Sequence, residues 1–234
     1  MRHLCRIFFI FFLNYSIIIP IYNESKKLEL LLNGLEPYYE EGHEILIIND
    51  GSTDGSEKVL ESFFFIKVLT LKNNLGKGNA ITAGLFNSKY NKIIIYDGDL
   101  ELGTKDISKL MILNKSSNIY STMGIRFKQL SPFKSGIDWG NFIFTVFFNF
   151  LNGTCHKDIL CCAKSFYKSD IQIKKLKSVG FDIDIELASA LSKNNRGRKI
   201  QQILIDYNRR SIDEGKKLRT NDGWIILKRI LLTL

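Results

Sequence analysis

Four short runs rich in β-branched residues, at 16–21, 44–49, 66–71 and 93–96, alternate with stretches of helical periodicity at 24–41, 55–63 and 77–89. This β-α-β-α-β-α-β order constrains the chain more than any other feature, because consecutive strands joined by helices must lie parallel with helices on the faces of the sheet. In such sheets ligands sit beyond the carboxyl ends of the strands, near the point where strand order reverses. The polar signals fall at those ends: "PIYNES" after the first strand, "NDGSTDGS" after the second, "KNNLGKG" after the third and "DGDLE" after the fourth. The expected fold class is therefore α/β. With 234 residues, 45% of them hydrophobic, the chain can bury a sizeable core as a single domain.

The last of these signals is the most abrupt. "IIIY" runs without a polar ramp into Asp97, Gly98, Asp99 and, two places on, Glu101. Two aspartates one residue apart, with a glycine between them that permits close backbone approach, make a hard-oxygen site suited to Mg²⁺ or Mn²⁺. Such an ion stabilises the charge that develops on a departing diphosphate. The competing reading is a solvated turn, with an aspartate capping a helix that starts near Thr104. In "NDGSTDGSE" the acidic spacing approaches that of a calcium loop, but a strand precedes it where a helix is required. A turn presenting Asp50 to a nucleotide base or ribose fits the strand end better. "NLGKGNA" lacks the first glycine of a P-loop, so Lys77 at the first turn of a helix is either a phosphate-holding cation beside backbone N–H donors or a solvated lysine.

The formal charge of +9 fits an anionic partner without identifying it. No stripe of interleaved basic and aromatic residues suits strand stacking, and no helix-turn-helix signal is present, so nucleic acid is not the expected partner. "CHKDILCC" has the wrong spacing for a structural zinc site, and the cysteines are expected to be reduced thiols. Residues 1–14 form an apolar leader that either extends the sheet or seeks a membrane. "DWGNFIFTVFFNFLNG" is too short to span a bilayer and is either a buried helix or one lying in the membrane interface, and the tail "WIILKRILLTL" is amphipathic enough to dock similarly.

In combination, "SIIIPIYNESKKL", "ILIINDGSTDGS", "NLGKGNAITAGL" and "YDGDLE" resemble the nucleotide-sugar half of the family-two glycosyltransferases, which have the GT-A fold. "MGIRF", "KDILCCAKSFYK", "GFDIDIEL" and "RRSIDEGKKLRTNDGW" are similar to the branch that includes dolichol-phosphate mannosyl- and glucosyltransferases. The resemblance runs from about Tyr15 to Leu227. It implies an inverting transfer of a hexose from a nucleotide-sugar donor, GDP- or UDP-linked, to a polyprenyl (dolichyl) phosphate, on a peripheral protein at the cytoplasmic face of a membrane. Residues 15–125 would form the nucleotide-sugar half and 126–234 the acceptor half of one domain, 15–234.

Carried over by position, the resemblance implies that Pro20, Tyr22, Glu24, Asp50, Lys77 and Asp97 bind the nucleotide sugar. Asp97, Asp99 and Glu101 would hold the metal. Arg126, Arg209, Arg210, Lys216 and Lys217 would gather the phosphates of donor and acceptor. Asp99 and Asp158 are the candidates for a direct part in transfer. Asp158 orients acceptor or sugar, or else is a capping or core-edge aspartate; the basic C-terminal group has a solvated charge run as its alternative. Asp184 and Glu186 match an acidic pair of the branch. Four positions depart from its pattern: Asn49 for aspartate, Ile125 for serine, and Cys161 and Ala163 for threonine and tyrosine. The other readings are transfer to a saccharide hydroxyl, which requires a placed carboxylate base, and a catalytically silent nucleotide- or nucleic-acid-binding protein.

Overall fold

A computed structural model describes residues 14–127, 136–194, 200–210 and 222–233. Among the described residues, seven strands form one sheet in the order β3-β2-β1-β4-β6-β5-β7. They are β1 (Tyr15–Ile21), β2 (Glu44–Asn49), β3 (Ile66–Thr70), β4 (Lys92–Ile95), β5 (Ser121–Ile125), β6 (Lys164–Tyr167) and β7 (Gln201–Leu204). β1, β2, β3 and β4 are mutually parallel, as the alternating pattern predicts. β6 enters antiparallel between β4 and β5, and β7 adds parallel to β5. The sheet is the single, mainly parallel one of a GT-A fold.

The helices are α1 (Ser25–Glu40), α2 (Ser56–Leu60), α3 (Lys77–Asn87), α4 (Gly136–Asn152), α5 (Ile183–Asn194) and α6 (Asp222–Leu232). One core layer packs Ile17, Ile19, Ile45 and Ile47 against Leu28, Leu31, Leu32 and Leu35 of α1. On the other face Ile18, Leu46, Ile48, Ile93 and Ile95 meet Ala80, Ile81 and Leu85 of α3 and Ile183, Leu187 and Leu191 of α5. Because both faces are covered, the β1 run Ile17, Ile18, Ile19 is buried at every residue instead of alternating. Each of these isoleucines contributes about 1.5–3 kcal/mol by leaving water. α2 ends at Leu60, shorter than the periodicity suggested, and the expected helix near Thr104 is a 3-10 stretch, Thr104–Leu110. No aspartate side chain caps the latter; its N-cap is Gly103.

The sheet parts where the site lies. The register of β1 with β4 ends at Ile18 opposite Ile95, followed by a hydrogen bond from Tyr96 N to Ile18 O, whereas β1 stays paired with β2 as far as Ile21 opposite Asn49. Pro20, which has no N–H to donate, falls beyond the last β4 pairing, so its missing donor leaves no gap in that ladder. The chain leaving β4 then folds over the end of β1. A Cβ on Gly98 would stand 2.6 Å from Ile21 Cγ2 and 3.2 Å from Pro20 O, so only glycine allows Asp97 and Asp99 to flank this approach. The turn closes with Leu100 at φ 59°, an unusual conformation for a branched residue and a place where the backbone holds strain.

α4 is apolar almost throughout but lies at the surface. Phe148 is buried beside Ile226 and Ile230 of α6, while Trp139, Ile143, Val146 and Phe150 form an exposed stripe at helical spacing. No helix among the described residues is long and apolar enough to cross a membrane. The leader, apart from Asn14, lies outside the described residues, as do Lys216 and Lys217.

Candidate active site at the strand ends

The loops after β1 and β2 are stitched together by side chains accepting backbone N–H bonds. Ser52 Oγ accepts from Asn23 N at 2.9 Å, Asn23 Oδ1 from Thr53 N at 2.8 Å, and Asp54 Oδ2 from Ser25 N at 2.8 Å. Asp54 also accepts from Ser56 N at 3.0 Å and from the Ser56 hydroxyl. Burial pushes its pKa upward, but these bonds outweigh burial and hold it down at about 2. Asn49 closes a tight turn by accepting from Ser52 N at 3.0 Å. An amide oxygen does this as well as a carboxylate, which accounts for the departure from aspartate at that position.

Asp50 does not point free into the crevice as the sequence suggested. Its carboxylate accepts Leu75 N at 2.8 Å and Gly76 N at 2.9 Å, so it clamps the β3–α3 loop. Two of the first N–H groups of α3 are likewise taken. Val179 O accepts from Gly78 N at 2.7 Å and Asn79 N at 3.4 Å, so the anion site expected beside Lys77 is filled by a backbone carbonyl. A Cβ on Gly78 would meet Ser178 O at 2.1 Å, so glycine is what admits that segment. Pro20 and Tyr22 line the β1 end, half-buried.

Lys77 reaches over the β4 end instead. Its ammonium lies 2.8 Å from Asp97 Oδ1 and 3.1 Å from Asp184 Oδ2. Burial alone would lower its pKa; the two carboxylates outweigh burial and hold it well above the ordinary value. Asp97 is conversely kept low, because the Lys77 charge overcomes the upward push of burial. Asp99 goes the other way. Burial and the neighbouring Asp97 charge raise it to about 6, against the partial relief of Arg210, whose Nη2 is 3.1 Å away.

That crowding is the test of whether a divalent cation fits. Asp97 and Asp99 present hard oxygens one residue apart, and together they carry more negative charge than their surroundings accept comfortably. Magnesium and manganese need only one or two such carboxylates besides water and phosphate. Among the described residues there is no cluster of three or more ligands that could hold a metal. Glu101 is partly committed elsewhere: its Oε1 accepts Arg210 N at 3.0 Å, and its carbonyl accepts Asn208 N at 2.8 Å.

These last bonds fasten segment 207–210 to the metal-type turn, with Leu102 bridged to Tyr207. Arg210 grips Glu24 with two bonds of 3.0 and 3.1 Å, joining the β1 loop to the β4 loop. Arg126, at the end of β5, is held by Asp158: Nε to Oδ2 at 2.8 Å, Nη2 to Oδ1 at 2.9 Å, and its own backbone N to Oδ2 at 3.1 Å. Asp158 is 1% exposed with both oxygens occupied, a geometry for orienting an arginine. The Tyr207 ring lies 5.4 Å from the guanidinium carbon of Arg126 and 5.7 Å from that of Arg209. Sequence reasoning passed over Tyr207; its place two residues before the arginine pair in "YNRR" was the available signal.

Comparison with known proteins bears on this arrangement. The family model described as Glycosyl transferase family 2 matches residues 16–163. The chain is 32% identical over 109 residues to dolichyl-phosphate beta-glucosyltransferase of Homo sapiens, covering 41% of this chain and 34% of that protein. It is 30% identical over 119 residues to undecaprenyl-phosphate 4-deoxy-4-formamido-L-arabinose transferase of Proteus mirabilis, covering 47% and 36%. It thus spans about a third of the length of these curated relatives. Among solved structures, glucosyl-3-phosphoglycerate synthase of Mycobacterium tuberculosis in complex with Mn²⁺, uridine diphosphate and phosphoglyceric acid superposes with a TM-score of 0.71 at 15% identity, covering 94% of this chain and 78% of that one. At that identity the likeness speaks for the fold. The family match takes in well over half the chain and the turn bearing Asp97 and Asp99, and on it the chain belongs to glycosyl transferase family 2.

Proposed function

We propose that this protein transfers a hexose from a nucleoside diphosphate sugar to a polyprenyl phosphate. The observation that carries the reading is the pairing of two chemistries at one edge of the sheet. A crowded Asp97–Asp99 pair suited to a metal-bound diphosphate is tied through segment 207–210 to an arginine that Asp158 holds in fixed orientation. The relatives named for dolichyl and undecaprenyl phosphates support this acceptor class, and the Mn²⁺ and uridine diphosphate in the solved neighbour support a UDP-linked donor and a divalent cofactor.

In the proposed reaction an oxygen of the acceptor phosphate attacks the anomeric carbon from the face opposite the leaving group. The new C1–O bond forms as the C1–O bond to the diphosphate breaks, the configuration inverts, and the nucleoside diphosphate departs with the electron pair. A phosphate ionised near neutral pH needs no base, so what the chain must supply is position and charge. Mg²⁺ or Mn²⁺ on Asp97 and Asp99 would stabilise the leaving diphosphate. Lys77 and Arg210, poised on those same carboxylates, are the cations nearest the donor phosphates. Arg126, with Arg209 beside it across Tyr207, faces the acceptor phosphate. Asp50 and the stitched loops around Tyr22 and Glu24 frame the nucleotide. Lys216 and Lys217 are proposed for the phosphates, and Glu101, bonded to the Arg210 backbone, would fasten segment 207–210 beside the metal carboxylates. Because Asp158 is fully occupied by Arg126, it acts by orientation and is not a base, which favours a lipid phosphate over a saccharide hydroxyl. The exposed stripe of α4 and the exposed Trp224, Ile225, Leu231 and Leu232 of α6 would meet the membrane surface from which the lipid is drawn.

Incubation with radiolabelled UDP-glucose or GDP-mannose, Mn²⁺ and a polyprenyl phosphate tests the reading. It expects label extractable into organic solvent and labile to mild acid. Label appearing only in water-soluble saccharide would overturn it.

A further inference from the structure

Beneath the crowded carboxylates runs a row of alternating charges that reaches into the core: Asp97, Lys77, Asp184, Lys164. Asp184 Oδ2 is 3.1 Å from the Lys77 ammonium, and Asp184 Oδ1 is 3.3 Å from the Lys164 ammonium. Lys164 is 0% exposed. A lysine with no access to water is costly to keep charged, and it persists only where paired and hydrogen-bonded. Here Asp184 and the Cys161 carbonyl serve it. Its backbone is fixed in β6 opposite Ile95, two residues before Asp97.

Lys77 is the movable member. It is at the first turn of α3 on a flexible four-carbon stem, and it divides its ammonium between Asp97 at 2.8 Å and Asp184 at 3.1 Å. Lys164 bears on that division twice over. It occupies one oxygen of Asp184, weakening that carboxylate's pull on Lys77, and its own charge repels the Lys77 ammonium toward the surface. In a weakly polarisable interior both effects are large compared with the same charges in water.

We infer that Lys164 is a positioning residue that sets how Lys77 is shared between Asp97 and Asp184, and so how strongly an arriving divalent cation must compete for Asp97. The inference rests on the reading that Asp97 takes the metal. With Lys164 present, Lys77 leans outward, covering Asp97 until a cation displaces it and standing where a donor phosphate arrives.

The test is direct titration of the protein with Mn²⁺ alone, following free Mn²⁺ by its electron paramagnetic resonance signal. In Lys164→Met the Lys77 ammonium is drawn onto Asp184 and Asp97 is uncovered, so Mn²⁺ affinity is expected to rise by about three- to tenfold. In Asp184→Asn the ammonium is left to Asp97 alone, and the affinity is expected to fall by a similar factor. A purely structural role for either residue would loosen the site in both variants, moving the two affinities the same way. Equal direction, or no change in either, overturns the inference. Should a single variant fail to unfold cooperatively, Lys164→Met/Asp184→Asn removes both charges together. It is expected to bind Mn²⁺ more weakly than the unaltered protein, and binding as tight or tighter overturns the inference. No Mn²⁺ binding by the unaltered protein would sink the metal reading itself and the inference with it.

Discussion

On the β1–β2–β3 side of the crevice, loop is tied to loop by carboxylate, amide and hydroxyl oxygens that accept backbone N–H groups: Asp50 from Leu75 and Gly76, Asp54 from Ser25 and Ser56, Asn23 from Thr53. On the β4–β5–β7 side the principal ties are ion pairs between side chains far apart in sequence: Arg210 with Glu24 and Asp99, Arg126 with Asp158, Lys77 with Asp97 and Asp184. The first kind of tie fixes backbone and leaves little to rearrange. The second kind uses charges that a phosphate or a metal also wants, so an incoming anion or cation can exchange partners with it. The β1–β2–β3 loops are thus rigid, while the β4–β5–β7 edge holds its charges in pairs that ligands can open.

The sharpest way to break this contrast is at the β4 turn. Asp99→Asn and Asp97→Asn are expected to lower transfer by about 10²–10³-fold, the scale of losing a preorganised charge at a reacting centre. Folding should survive, because both side chains are partly exposed. Donor turnover together with thermal unfolding measures both, and transfer undiminished in Asp97→Asn would remove the site from the β4 turn.

Next in size is Arg126→Ala. It strips a carboxylate that is 1% exposed of its guanidinium partner, leaving only one backbone N–H, and is expected to cost about 3 kcal/mol. Arg126→Met combined with Asp158→Leu should recover most of that stability without recovering transfer. If Arg126→Ala unfolds at the same denaturant concentration as the unaltered protein, the pair is not the tie described. Where the β4 turn rests on the rigid β1 end, Gly98→Ala pushes a methyl to within 2.6 Å of Ile21 and is expected to cost about 1–3 kcal/mol. Donor binding should weaken along with stability, since the turn must lift off β1.

Much of this was legible from the amino-acid order. The strand-helix alternation gave the first four strands within a residue or so of their ends, and the position of "DGD" after a buried run foretold the acidic turn. Gly98 is where local pattern and tertiary packing say the same thing. Other features came from segments that meet only in three dimensions. Asp50 looks free in "NDGS" because nothing local shows that the backbone at 75–76 will arrive to claim it. The filling of the α3 N-terminus by Val179 depends on a segment a hundred residues later. Lys164 is invisible as part of the site until β6 is seen to insert antiparallel beside β4. Asp158 and Arg126 were both singled out, but their mutual pairing was not, since a charged pair distant in sequence leaves no periodic trace.

A buried histidine two residues before Asp158 gives a pH signature of the ion-paired region. His156 lies beside Phe148, the rings tilted and their centroids 6.0 Å apart, with Nε2 2.9 Å from the Ser192 hydroxyl, and burial followed by the Lys164 charge lowers its pKa from 6.5 to about 4. Above pH 6.5 it is neutral in both states. As pH falls from about 6.5 to about 4 the unfolded chain binds the proton and the folded one does not, so stability falls with pH. Between pH 7.5 and 5 the histidine is expected to remove about 2 kcal/mol. His156→Gln should lose correspondingly less over that interval in urea unfolding. An identical loss in both proteins would mean that the imidazole is not held neutral by its surroundings.

The smallest effect on stability is expected at the exposed apolar side chains of α4 and α6. Phe150 is 82% exposed and Trp224 75%, on two helices whose inner faces share Phe148, Ile226 and Ile230. Side chains so exposed gain little from folding, so Phe150→Ser with Trp224→Ser should shift unfolding by no more than about 0.5 kcal/mol. The Phe150 ring, with Trp139 and Ile143 on the same stripe of α4, and the Trp224 ring on α6 suit the boundary between headgroup and acyl chain, where an aromatic surface leaves water without meeting a protein. Cosedimentation with vesicles containing anionic phospholipid should therefore drop several-fold in the double variant, while transfer to a short, water-soluble polyprenyl phosphate stays as it was. If vesicle binding and transfer to the soluble acceptor fall together, the two helices serve the crevice itself and not the surface beside it.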